Sequence, residues 1–334
     1  MMLNLFIGSA ILFSSFSYQL NDIYVGGENI VFEIKPEGII VTGTYDIKTN
    51  LGTYNPLRDS DIQIGDIIIS IDNKEIHSIK DFLDEFNKKE NNSSVNLKII
   101  RNEAEITRKL NVNKIDNQSK SGLFVKERVL GVGTLTFIDT DLNIYGALGH
   151  EVVDSSSSQI LSVYDGNIYK EEVVNISKGT NGHPGEKSST TKLNHKLGTI
   201  FDNTDYGIFG NIDSSYNSSY STKLAEIDEI KLGKAYILTC IEENKVEKFE
   251  IEIIDLKRQN NQDLKGITFK ITDPRLLNVS GGVFSGMSGS PIIQNDKLIG
   301  AVTHVIVNDV KCGYGVYIKY MYQEAVESMK KEEK

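Results

Sequence analysis

The chain has 334 residues, 39% hydrophobic and 25% charged, ordinary values for a folded protein with room for two domains of ~100–200 residues each. A formal net charge of -10 and a pI near 5.1 argue against nucleic acid or an anionic membrane surface as the main partner. Two cysteines, Cys240 and Cys312, cannot form a disulfide framework or a four-ligand zinc site, and neither lies in a Cys-x-x-Cys spacing, so two unpaired thiols are expected.

Met1 to Asn21 carries no charge, and Leu3–Phe16 is largely apolar. That stretch is shorter than the ~20 apolar residues of a spanning helix, so residues 1–20 read as an export signal or membrane anchor. Val31–Ile34 and Gly38–Val41 are predicted strands around the turn Lys35-Pro36-Glu37. Ile62-Gln63-Ile64-Gly65-Asp66 forms a corner leading into the β-branched run Ile67–Ile71. Ile79, Phe82, Leu83 and Phe86 recur at helical spacing, and Val95–Arg101 and Glu105–Val112 read as a closing hairpin turning at Asn102-Glu103.

This order of corner, helix and hairpin over residues 29–113 resembles a PDZ domain. The resemblance implies that a peptide tail adds as a strand along its groove. The usual Gly-hydrophobic-Gly-hydrophobic carboxylate loop is replaced by Lys35-Pro36-Glu37-Gly38. Residues 114–124 are polar and read as a linker. Beyond them the sequence is strand-dense: Val129–Ile138, Ile144–Leu148, Ile160–Val163, Tyr236–Cys240, Phe249–Ile254 and Ile267–Ile271 are short apolar runs between turns. The pattern predicts an all-β barrel or sandwich over residues 125–325. Thr190–Ser221, polar and serine-rich, is expected to form surface loops. A helix from Tyr320 closes the chain, its lysine and glutamate run expected as a solvated face, with residues 326–334 as a charged tail.

The stretch most suited to chemistry is Gly286-Met287-Ser288-Gly289-Ser290-Pro291, ahead of a hairpin Pro291–Gln294 and Leu298–His304. Glycines on both sides of Ser288 permit a tight turn and close approach of a substrate carbonyl. Such strings also occur as plain turns, and a serine hydroxyl is a poor nucleophile without a base. Of five histidines, His150 in Gly146-Ala147-Leu148-Gly149-His150 is best placed, at the end of an apolar strand after a glycine. His183 lies in a glycine-proline loop, His77 and His195 look solvated, and His304 is expected a strand length from the serine turn. For the orienting acid, Asp273 stands 15 residues before Ser288, while Asp202 and Asp205 lie 52 and 55 residues after His150. No histidine pair has metal-ligand spacing, so neither a metal nor another cofactor is expected.

Together with Asn181–Lys187, Gly207–Gly210, Ile271–Pro274, Gly300–Val305, Val307–Asp309 and Gly313–Val316, these motifs resemble the SpoIVB (stage IV sporulation protein B) peptidase family. The resemblance implies a mainly β chain, with a PDZ domain followed by a chymotrypsin-like β-barrel serine peptidase domain. It implies His150 as base, Asp273 as acid and Ser288 as nucleophile, with the backbone N–H groups of Gly286 and Ser288 receiving the oxyanion. It also implies export between the forespore membranes, anchoring through the N-terminal segment, self-processing near the N-terminus, and cleavage of a membrane-bound regulator that leads to late sigma-factor activation. Glu151 stands where the family usually has a glycine. A catalytically silent PDZ adaptor that scaffolds membrane partners is the alternative from another class.

Overall fold

The computed structural model describes residues 23–50, 52–213, 216, 220–257 and 264–333. The expected signal or anchor at residues 1–20 lies outside them.

A first sheet is ordered Leu123–Lys126, Ile39–Thr44, Ile67–Ile71, Ser94–Arg101, Ala104–Asn111, with Ile39–Thr44 antiparallel to both neighbours. The helix Ile79–Phe86 covers it, burying Phe82 and Phe86 among Ile39, Ile68, Ile71 and Leu97. Its start is fixed by Ser78, whose Oγ accepts from Asp81 N at 3.0 Å. The Gly65-Asp66 corner is pinned because buried Asp66 takes two bonds from Arg101, at 2.7 and 2.8 Å. Asn102 and Glu103 both have positive φ, as a two-residue hairpin turn requires.

One strand departs from expectation. Asn29–Lys35, expected to open the PDZ domain, instead pairs antiparallel with Val129–Asp139 on one side and Asp165–Ser177 on the other. Its burial explains the placement: six of its seven residues are buried, on both faces, which only a central strand of a covered sheet can satisfy. The vacated position beside Ile39–Thr44 is filled by Leu123–Lys126, from the stretch expected to be linker and the start of the next domain. The rest of the linker forms a small hairpin, Asn113–Ile115 with Gln118–Lys120. The two units thus share chain in both directions, and they also touch through Lys126 paired with Asp154 and through the His77 and Tyr164 rings, stacked 5.1 Å apart.

The second unit is strand-built, as expected, around clusters that include Ile30, Leu135 and Leu148 on one side and Ile237, Phe249, Phe269 and Ile292 on the other. Thr190–Ser221 is not simply loop. Asp165–Ser177 and Gly185–Thr199 form a long antiparallel ribbon, and Asp202–Thr204 and Gly207–Asn211 are also strands. The second ribbon strand runs Ser-Ser-Thr-Thr with no apolar alternation, so the period that marks a half-buried strand is missing. Ile160–Val163 makes only an isolated bridge, Ile160 to Val153. The closing helix, Ile318–Glu332, buries Met321, Tyr322, Ala325 and Val326 in a cluster with Phe137, leaving Lys330 and Lys331 in its last turn. Cys240 and Cys312 are buried and unpaired.

Candidate active site

The serine turn is held from three sides. Phe284–Ser285 pairs in parallel with Gly185 and Glu186. Thr134 N donates to Ser288 O at 2.8 Å, Thr134 Oγ1 to Gly286 O at 2.9 Å, and Thr136 Oγ1 to Gly289 O at 2.7 Å. On the far side, Gly289 N donates to Val302 O at 2.7 Å. Gly289 has φ +92°, and a Cβ there would fall 2.1 Å from Thr134 O and 2.5 Å from Leu148 N, so no other residue fits. Bound this way, the turn leaves Ser288 half-buried, its Oγ donating to Thr303 O at 2.9 Å. Among the described residues, no acceptor is bonded to the N–H groups of Gly286 or Ser288.

His150 reaches the same place. Leu148 and Gly149 both have φ above +70°, which breaks the strand Ile144–Ala147 and turns the chain onto Val302–Thr303. A Cβ on Gly149 would lie 3.3 Å from Thr303 Cγ2 and from Val302 O. Both the serine turn and the His150 loop therefore rest on the strand Lys297–Val305. The His150 Nδ1 lies 2.7 Å from Glu151 O. A carbonyl can only accept, so Nδ1 carries the proton and Nε2 is left with a lone pair. Burial pushes the imidazole below the ordinary histidine range, opposed by the Glu151 carbonyl and carboxylate.

Two residues not expected at the site complete this geometry. The His304 ring lies beside His150, 5.0 Å between centroids at a 37° tilt. Expected far from the serine, His304 is brought back by the hairpin register: Pro291 pairs with Ala301, which sets Thr303 and His304 against the turn. His304 is exposed overall, yet partial desolvation of its ring, then the neighbouring His150 and Lys265, lowers its pKa below the ordinary range. Asn203, buried, accepts from Val152 N and donates to Val152 O and Leu161 O, all at 2.8 Å, and so clamps the segment after His150. The hairpin register could have exposed His304 in the sequence; nothing there marks Asn203.

The expected acid is engaged elsewhere. Asp273 caps the helix Pro274–Ser280: its Oδ1 accepts from Arg275 N at 2.9 Å and its Oδ2 from Arg275 Nη2 at 3.0 Å, with Glu250 N at 3.4 Å. Burial works against this carboxylate, but Arg275 outweighs it and holds it below the usual range. No hydrogen bond joins it to His150. The physical reason is local: Asp-Pro-Arg is a helix start, with an acceptor at the cap, proline at the first position and a cation next. Asp202 accepts from Asn203 N and from Ser328 Oγ at 2.6 Å, and Asp205 is exposed. None of the three candidate aspartates is bonded to the imidazole. His183 closes a bridge with Thr180, and His195 is exposed. No metal-holding cluster of His, Cys, Asp and Glu exists among the described residues.

Comparison with known proteins gives three findings. The family described as SpoIVB peptidase S55 matches residues 117–322, more than half of the chain, and a PDZ domain matches residues 38–112. No curated protein matches. Solved structures that resemble the chain include the Rv3671c protease of M. tuberculosis. Its active form is 13% identical, over 60% of this chain and 74% of that one, with a TM-score of 0.35. Its inactive form is 12% identical, over 59% and 83%, with a TM-score of 0.33.

Proposed function

The chain belongs to the SpoIVB peptidase S55 family and is a serine peptidase with a PDZ domain; from that premise we propose that Ser288 is its nucleophile and His150 its base, in an exported endopeptidase of sporulation signalling. One observation carries this reading. Ser288 and His150 come from segments far apart in the chain, yet both are delivered to one edge of the strand Lys297–Val305, with the imidazole Nε2 unprotonated.

In the proposed reaction, the Ser288 hydroxyl turns from Thr303 O toward His150. Oγ attacks the scissile carbonyl while Nε2 takes its proton, and the N–H groups of Gly286 and Ser288 bind the oxyanion. The imidazolium then returns the proton to the leaving amine, and water, activated the same way, hydrolyses the acyl-enzyme. The Nδ1–H bond to Glu151 O orients the ring in the role that a carboxylate fills in the usual triad. Asp273 acts at one remove, by fixing the helix Pro274–Ser280 that feeds the strand Phe284–Ser285 and the nucleophile turn.

The resemblance to the family and the apolar run Leu3–Phe16 support the proposed setting. The enzyme acts between the forespore membranes, anchored through residues 1–20 until it processes itself, and cuts a membrane-bound regulator, an event that leads to late sigma-factor activation. The PDZ unit holds a peptide tail of substrate or enzyme. The test compares the N-terminus of the chain purified from sporulating cells with that of Ser288→Ala. Processing lost only in the variant supports self-cleavage; identical termini refute it. The silent-adaptor reading draws on one observation: among the described residues no carboxylate is hydrogen-bonded to the His150 ring. It predicts that Ser288→Ala sporulates normally at unchanged protein level.

A further inference from the structure

Behind the serine turn lies an ion pair that the proposed reaction does not use. Lys187 and Glu171 lie on the two strands of the ribbon Asp165–Ser177 and Gly185–Thr199, offset in register (Lys187 opposite Ile176, Glu171 opposite Thr191), with Nζ to Oε2 at 2.5 Å and both side chains wholly buried. Ser189 Oγ donates to the other carboxylate oxygen, Oε1. Taking two charges out of water is costly, and an apolar pair of similar volume would often fold as well or better. Stability alone therefore does not explain it.

Its location does. The strand that carries Lys187 is the one to which Phe284–Ser285 is paired, just upstream, at Gly185 and Glu186. The lysine then reaches under the next residue of the turn: a Cβ on Gly286 would fall 2.7 Å from Lys187 Cε and 2.9 Å from Nζ. Gly286 has φ +106°, and its carbonyl accepts from Thr134 Oγ1 at 2.9 Å. Gly286, whose N–H is to meet the oxyanion, thus has its own carbonyl tied to a threonine hydroxyl and its Cα set against a buried ammonium. Nearby Met287 is wholly buried and apolar, so no side chain of the turn itself supplies an ionic anchor.

We propose that Lys187, held by Glu171, is a positioning residue for the oxyanion site: it fixes the Gly286 peptide and places a water-excluded positive charge behind the point where negative charge develops. This rests on the reading of Ser288 as nucleophile. The fixed cation acts chiefly on the transition state, since it does not meet the substrate groups that bind remotely.

The test uses the whole chain and a peptidyl phosphonate that labels an active serine, following the limiting labelling rate kinact and the half-saturating concentration KI separately. Lys187→Met alone strands a buried carboxylate and risks unfolding, so the informative variant is Lys187→Met with Glu171→Met, which removes the pair together. Its melting temperature is expected to stay at or above that of the parent, its KI to change less than about threefold, and its kinact to fall about 10–100-fold, approaching the loss of one oxyanion donor. A folded double variant that labels at the parental rate overturns the proposal while leaving the nucleophile assignment intact. Failure of the parent to label at Ser288 overturns both.

Discussion

Replacement of Asn203 by alanine puts the support of His150 to a quantitative test. The side chain satisfies Val152 N, Val152 O and Leu161 O. Val152 O keeps a second partner, Leu161 N at 3.2 Å, so the substitution orphans two main-chain groups, Val152 N and Leu161 O. Each buried, unsatisfied group costs ~1–3 kcal/mol, giving ~2–6 kcal/mol in total. At roughly 2–4 °C per kcal/mol for a unit of this size, the melting temperature should fall by at least about 4 °C. Release of Val152 also frees Glu151 O, the acceptor that orients His150 Nδ1 among the described residues, so phosphonate labelling should slow by more than about tenfold even at temperatures where the variant is fully folded. Calorimetry and labelling at 15 °C measure the two effects separately. A variant that melts within a degree of the parent and labels at the same rate would refute the clamp.

The pH dependence follows from the buried imidazole. The folded value of His150 lies below the 6.5 of a free histidine, so Nε2 stays unprotonated as pH falls through 6.5 and the labelling rate should hold there, dropping only at lower pH. In the same window the unfolded chain binds the proton that the native ring refuses, so this group's contribution to stability is complete above about 6.5 and is lost as pH falls toward the folded value. His304→Ala should admit water and move the acid limb of the rate upward; a limb that stays put would contradict desolvation as the cause. Asp273→Ala should cost about 1 kcal/mol through the lost cap, whereas Asp273→Asn, which can cap, should recover both stability and labelling. An Asn variant as inert as the Ala variant would instead mark Asp273 as a carboxylate needed for the chemistry. The buried thiols of Cys240, pushed up to about 12, and Cys312, up to about 11, should resist thiol reagents in the native state; rapid modification would mean that the fold opens there.

The residues that organise this chain differ in how plainly the sequence announces them. The serine turn is legible because its glycines meet a strict backbone demand and its hairpin follows at once: Gly289 has φ +92°, and Asn295-Asp296 take the two positive φ angles of the turn. The helix Ile79–Phe86 is legible for the same kind of reason, a local period with a serine cap. Asn29–Lys35 is not, because the choice between two sheets is made by tertiary burial, and Val-Phe-Glu-Ile reads alike in either. The ribbon Gly185–Thr199 hides because its strand is polar on both faces. Asp273 misleads in the other direction: its spacing from Ser288 suits an acid, while its Asp-Pro-Arg context makes it a cap, and the local preference prevails. His304 was within reach of argument from the register Pro291 to Ala301, but Asn203 was not, since an asparagine that bonds distant main chain leaves no local trace.

The most direct measurement of the central claim is mass-spectrometric mapping of the full chain after treatment with the peptidyl phosphonate, for the parent and for His150→Ala. The account predicts an adduct on Ser288 in the parent and a rate reduced by at least about a thousandfold without the imidazole. An unmodified Ser288 in folded parent protein, or equal labelling with and without His150, would contradict it.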